Sequence, residues 1–79
     1  MNKKEKAMFD AIGKALGVSP KNVGDLIKAV LEKSDVYDFC VGYDEDEDMW
    51  FAKFNPIYEG YGDTFEEAVL RAACDAVSC

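Results

Sequence analysis

Five consecutive acids, Asp44 to Asp48, stand between two segments in which large side chains alternate. Before the run, Tyr37, Phe39, Val41 and Tyr43 alternate with Val36, Asp38, Cys40 and Gly42. After it, Trp50, Ala52 and Phe54 alternate with Met49, Phe51 and Lys53. A period of two is that of a strand. Adjacent like charges must stay in water, so the acidic run is the loop joining two antiparallel strands. The expected strands are 36–43 and 49–54. A lone hairpin is marginal in water, so other elements must pack on it.

The rest of the chain supplies helices. Phe9, Ile12 and Leu16 recur at helical spacing, with Met8 and Ala15 beside them, which predicts a helix over 3–16. Gly13 weakens it by about 1 kcal/mol relative to alanine, and Gly17 is its stop. Ser19-Pro20 reads as the start of a second helix, with Ser19 as N-cap and Pro20 in the first turn. Its stripe is Val23, Leu26, Ile27, Val30 and Leu31, and it ends near Lys33 and Ser34. After Asn55-Pro56, residues 57–61 read as a short third strand or an extended segment, with Gly60 and Gly62 as turn residues around Tyr61. Thr64 and Glu67 form a capping box that opens a final helix over 65–77. Phe65, Ala68, Val69, Ala72 and Ala76 make its main apolar face, and the small alanines with Cys74 allow close approach to a sheet. The expected fold is one α+β domain over 1–79, ordered α-α-β-β-(β)-α, with a two- to three-stranded antiparallel sheet packed by helices.

Charge divides this domain. Residues 1–34 carry seven lysines against four acids, and residues 35–79 carry Lys53 and Arg71 against twelve acids, giving net charges of +3 and −10 within a total of −7. An acidic half repels nucleic acid and anionic lipid and favours basic protein surfaces. The 79 residues include no histidine, which removes the commonest general base and metal ligand. Ser19, Ser34 and Ser78 have no histidine to activate them, and the carboxylates fall into no catalytic spacing. Composition points to a binding module and not an enzyme. No cofactor is expected, no apolar run is long enough to span a bilayer, and the expected location is cytoplasmic.

Cys40, Cys74 and Cys79 are odd in number and none pair as C-x-x-C. A disulfide framework or zinc site is not expected, and Cys40 and Cys74 read as small core residues with Cys79 an exposed thiol. Asp44, Asp46 and Asp48 resemble the opening of an EF-hand calcium loop. Met49 stands where that loop has its glycine and Asn55 where it has its bidentate glutamate, and the flanks are strands. No metal is expected.

Three further stretches carry resemblances. Leu16-Gly17-Val18-Ser19 with Val23 resembles the turn of helix-turn-helix DNA-binding proteins. That resemblance implies a recognition helix exposing Lys21, Asn22, Asp25 and Lys28, with the acidic hairpin as a wing that would repel phosphate. Met49-Trp50-Phe51-Ala52 followed by Gly60-Tyr61-Gly62-Asp63-Thr64 and the alanine-rich helix resembles the C-terminal part of small phage-encoded sandwich proteins. Small size and acidity also resemble the phage anti-CRISPR inhibitors, several of which imitate DNA. That likeness is one of type. The size and acidity of acyl carrier proteins are matched too, but their Asp-Ser-Leu attachment sequence is absent.

The functional expectation is therefore an acidic, phage-type inhibitor that docks on a basic nucleic-acid-binding surface of a host defence complex by DNA mimicry. The candidate contact residues are Asp44, Glu45, Asp46, Glu47, Asp48, Glu59, Asp63, Glu66 and Glu67. The candidate aromatic anchors are Tyr43, Phe51, Tyr58 and Tyr61, with Tyr58 and Tyr61 the most exposed. Aromatics fall on both strand faces, so either helices cover both or Phe51 and a tyrosine stay exposed. The alternatives are a helix-turn-helix regulator using Lys21, Asn22 and Lys28, and a structural protein that self-associates through the aromatic sheet face.

Overall fold

The computed structural model describes residues 1–79. Two helices, α1 (Lys3–Leu16) and α2 (Val23–Lys33), precede three strands, β1 (Phe39–Asp44), β2 (Met49–Phe54) and β3 (Tyr58–Gly62), and α3 (Phe65–Val77) follows. The strands form one antiparallel sheet in the order β1-β2-β3. This is the α+β arrangement that the periodicities predict, and the segment after Pro56 is a true third strand.

Helix starts are set by side chains that satisfy the first free backbone N–H groups. Asn2 caps α1 and forms a reciprocal capping box with Glu5. The α2 start differs from the sequence expectation. Its N-cap is Asn22, whose Oδ1 accepts from the Asp25 N–H at 2.8 Å, so Ser19 and Pro20 lie in the connection. Gly13 eases that connection: a Cβ there would sit tightly, 3.1 Å from the Val18 carbonyl oxygen and 3.3 Å from Pro20 Cδ. The turn folds back onto the helix across this bare position. Gly17 ends α1 at φ 70°, a left-handed conformation that suits glycine.

Strand β1 starts three residues later than the alternation implies. Asn55, itself left-handed at φ 54°, accepts the Tyr37 and Asp38 N–H groups on its Oδ1 at 3.1 and 3.2 Å. The Asn55 side chain thus takes both N–H groups, and of this segment only the Asp38 carbonyl reaches back to β2, accepting the Asn55 N–H at 2.9 Å. Val36 is nevertheless buried, as the last apolar contact before the strand.

Helix α3 packs on β2 and β3, and α1 and α2 pack on α3. Gly60 and Gly62 lie inside β3 beneath this helix and are not turn residues. A Cβ on Gly60 would overlap the Ala68 and Ala72 backbone and lie 2.8 Å from Arg71 Cβ, and one on Gly62 would lie 2.7 Å from Glu67 Cβ. Bare strand positions facing alanines let helix and sheet approach closely. The core joins Phe9, Ile12, Leu26, Val30, Ala52, Phe54, Ala68, Val69, Leu70, Ala72 and Ala73 with Val36.

A polar relay ties the two helix starts together. Glu5 is buried, accepts from the Asn2 N–H at 3.2 Å and accepts from the Thr64 hydroxyl at 2.9 Å. Thr64 Oγ1 in turn accepts the Glu67 N–H at 3.0 Å. Glu67 reaches back one residue further than a standard capping box, to the Asp63 N–H at 2.9 Å.

Candidate interaction surface

The hairpin tip is shaped by two of its own acids. Asp44 turns its carboxylate back onto the Asp46 and Glu47 N–H groups, at 3.0 and 3.2 Å. This is the side-chain-closed turn that aspartate favours. Asp48 closes the loop in the left-handed region at φ 52°, and its carboxylate accepts from the Tyr43 hydroxyl. With Asp44 and Asp48 so engaged, Glu45, Asp46 and Glu47 project into solvent with no cation on them.

The other candidate acids divide between two places. Trp50 pairs with Gly62 across the sheet and its ring meets Phe65 edge-on at 5.9 Å, so the start of α3 lies at the hairpin-tip end. Asp63 and Glu66 therefore share that end with the tip. Glu67 lies there too, but Asp63 N–H, Arg71 at 3.2 Å and Lys4 at 3.9 Å hold it, the backbone bond doing most to lower its carboxyl pKa below the ordinary value. Glu59 belongs to the far half of β3, opposite Lys53, with which it pairs at 3.6 Å.

The aromatic candidates also separate. On the sheet face away from α3, Phe51 lies over Gly42, where a Cβ would meet its ring at 2.7 Å, and Tyr61 sits opposite it across β2–β3. No helix covers this face: Tyr61 and Cys40 are exposed and Phe51 is half-buried. Of the two arrangements open to the sequence, the structure has the second. Tyr58 lies on the other face and is half-buried against the core, so it is not among the most exposed aromatics. Tyr43 is on the helix side of β1, edge-on to Trp50 at 5.5 Å, and still exposed. Tyr37, outside the candidate set, is the most exposed large hydrophobic residue at 79%. Its alternation placed it in a strand, and the Asn55 bonds that removed it from one were not visible in the periodicity.

Cys40 corrects a further expectation, since the open face leaves it in solvent instead of the core. Cys74 is half-buried, and burial together with the Cys79 thiol 2.7 Å away pushes its thiol pKa up to about 12.

In the α1–α2 region, Lys21 and Lys28 are exposed, but the Asn22 side chain is occupied as the α2 cap. A shallow groove of about 330 Å³ borders this turn, lined by Lys6, Asp10, Gly13, Lys14, Ser19 and Pro20 among others, and is separate from the acidic end. No helix is long and apolar enough to cross a membrane. Comparison with protein-family models, with curated proteins and with solved structures finds no match to this chain.

Proposed function

We propose that the chain is a non-enzymatic binding module that docks its acidic end on a basic surface, of the kind with which proteins hold nucleic acid. The observation that carries this reading is the uncompensated trio Glu45, Asp46 and Glu47. Two neighbouring acids build the turn that presents them, and Asp63 and Glu66 stand at the same end of the molecule. Carboxylates fixed on a rigid hairpin can occupy phosphate positions in a basic groove and raise the association rate by long-range attraction. The reading includes the phage-type inhibitor class that the sequence resembles, with the target a host nucleic-acid-binding defence complex.

The test is capture from a lysate of the source cells followed by elution with duplex DNA. The charge-reversed variant Glu45→Lys/Asp46→Lys/Glu47→Lys serves as control, because these three side chains, unlike Asp44 and Asp48, do not hold the loop. A nucleic-acid-binding protein retained by the natural chain, released by DNA and lost from the variant is the expected result. Retention unchanged in the variant overturns the reading.

A second reading, self-association through the open sheet face, is favoured by the exposure of Tyr61 and Cys40 beside Phe51. Sedimentation at rising protein concentration tests it, and a constant monomer mass removes it.

A further inference from the structure

Strand β1 is an open sheet edge whose backbone directions can be assigned. The Asn55 N–H donates to the Asp38 carbonyl at 2.9 Å, and the register continues as Cys40 with Lys53, Gly42 with Phe51 and Asp44 with Met49. In an antiparallel ladder hydrogen-bonded pairs alternate with unbonded ones. Cys40, Gly42 and Asp44 therefore direct their N–H and C=O groups to β2, and Phe39, Val41 and Tyr43 direct theirs outward.

The same three residues place their side chains on the helix side of the sheet. Here α3 covers β2 and β3, and β1 makes extended contact with β2 alone. Val41 is 36% exposed and Tyr43 is 44% exposed in consequence. Sheet edges are ordinarily blocked by lysine, proline or a bulge. None of these occurs within Phe39–Asp44, whose pairing to β2 is unbroken. Acids bound both ends of the edge: Asp35 and Asp38 precede it, and Asp44 to Asp48 follow.

We propose that the β1 edge binds an extended segment of a partner protein as a fourth strand, with apolar residues at alternate positions and basic residues at both ends. The alternate side chains cover Phe39, Val41 and Tyr43, the outward backbone groups complete a ladder, and the flanking cations meet the acids. A second copy of this chain fits less well. Antiparallel self-pairing centred on Val41 sets Asp38 of each copy against Asp44 of the other, and like charges directly opposite are destabilising. The charge argument rests on the acidic-docking reading, while the strand addition goes beyond it.

The test uses the whole isotope-labelled chain and two synthetic peptides, Lys-Lys-Val-Thr-Val-Thr-Val-Lys-Lys and its counterpart with glutamates at the four terminal positions. The expected result is that the lysine peptide slows hydrogen exchange at the Phe39, Val41 and Tyr43 amides by roughly tenfold or more, and the glutamate peptide does not. Val41→Pro removes one outward N–H and leaves the ladder to β2 in place, as proline on an edge can. It should lose at least about tenfold in affinity for the lysine peptide, with the Phe51 and Lys53 amides still protected. A variant that loses that protection is replaced by N-methylation of the Val41 amide in chemically assembled protein, which deletes the same donor. Unchanged exchange with the lysine peptide, equal response to both peptides, or full affinity without the Val41 N–H each overturns the proposal. So does edge protection that appears without peptide together with a dimer mass, which would assign the edge to a second copy. If the edge fails while the lysine-reversed tip still loses its DNA-eluted partner, the acidic-docking reading stands without it.

Discussion

Removing the Glu5 carboxylate tests whether the two helix starts are joined by one polar relay. Glu5 is 5% exposed and accepts from Asn2 N–H and from Thr64 Oγ1, 59 residues away in sequence. Glu5→Ala deletes one arm of the α1 capping box, a loss of about 1 kcal/mol. It also deletes a hydrogen bond to a charged acceptor, a further loss of about 1.5–3 kcal/mol. The sum is roughly 3 kcal/mol, a large share of the ~5–15 kcal/mol that holds a domain folded. Thr64→Val removes the same bond from the other side together with the α3 cap. The relay is therefore isolated by a double-mutant cycle, in which the coupling should be about 1–2 kcal/mol. Urea unfolding followed by fluorescence of the single tryptophan, Trp50, reads all four proteins. Additivity of the two losses to within about 0.5 kcal/mol would refute the relay and reduce Glu5 to a local cap.

Gly60→Ala should destabilise by about 2 kcal/mol or more, because its Cβ meets the α3 backbone and not a movable side chain; a change under about 0.5 kcal/mol in urea unfolding contradicts the close helix–sheet approach. The Asp63 N–H and Arg71 hold the folded-state pKa of Glu67 below the ordinary carboxylate value, so its contribution is present above that ordinary value and is lost as pH falls through the lowered one. Glu67→Gln should flatten the acid limb of the stability curve, and an acid limb unchanged in that variant would show that the Asp63 N–H and Arg71 contacts do not set the shift. Reversing Glu45, Asp46 and Glu47 to lysine should leave stability equal or raised by about 0.5–1 kcal/mol at low salt, with the gain vanishing as salt screens the remaining acids. Unfolding midpoints across a salt series decide it, and a salt-independent loss of stability would mean the trio holds the loop after all.

Periodicity made the elements legible, and close approach made their joints illegible. The stripes from Val23 to Leu31 and from Phe65 to Val77 give helices because apolar spacing is a local property of the chain. The acidic run gives the hairpin for the same reason. Gly60 and Gly62 read as turn residues because glycine beside tyrosine and acid is ordinary turn composition. Their role beneath Ala68 and Ala72 exists only once α3 has folded back on β3. Asn22 took the cap from Ser19, although both are good N-caps, because Pro20 is held against Gly13 by the returning turn. Cys40 and Tyr58 were misplaced by one cause: which sheet face α3 covers depends on tertiary packing, and alternation fixes only which residues share a face. A face for Phe51 apart from Trp50 and Phe54 was readable, and that Tyr61 shares it was not.

The acidic end is tolerable to the fold because of what else lies there. The α1 and α3 N-termini both lie at the hairpin-tip end, joined through Glu5 and Thr64. Free N–H groups and the aligned peptide dipoles make a helix N-terminus partly positive. Glu5, Glu66 and Glu67 occupy first-turn positions where that field favours a carboxylate, and Lys4 and Arg71 add two cations near Glu67. Glu45, Asp46 and Glu47 have no such contact. They stand on the loop, held outward by a turn that Asp44 and Asp48 already close without them. Glu5, Glu66 and Glu67 thus stand where the fold favours a carboxylate, and the three carboxylates on the hairpin make no contact with it. Charge that the fold does not contact, placed on a hydrogen-bonded turn beside an open strand edge, is charge available to a partner.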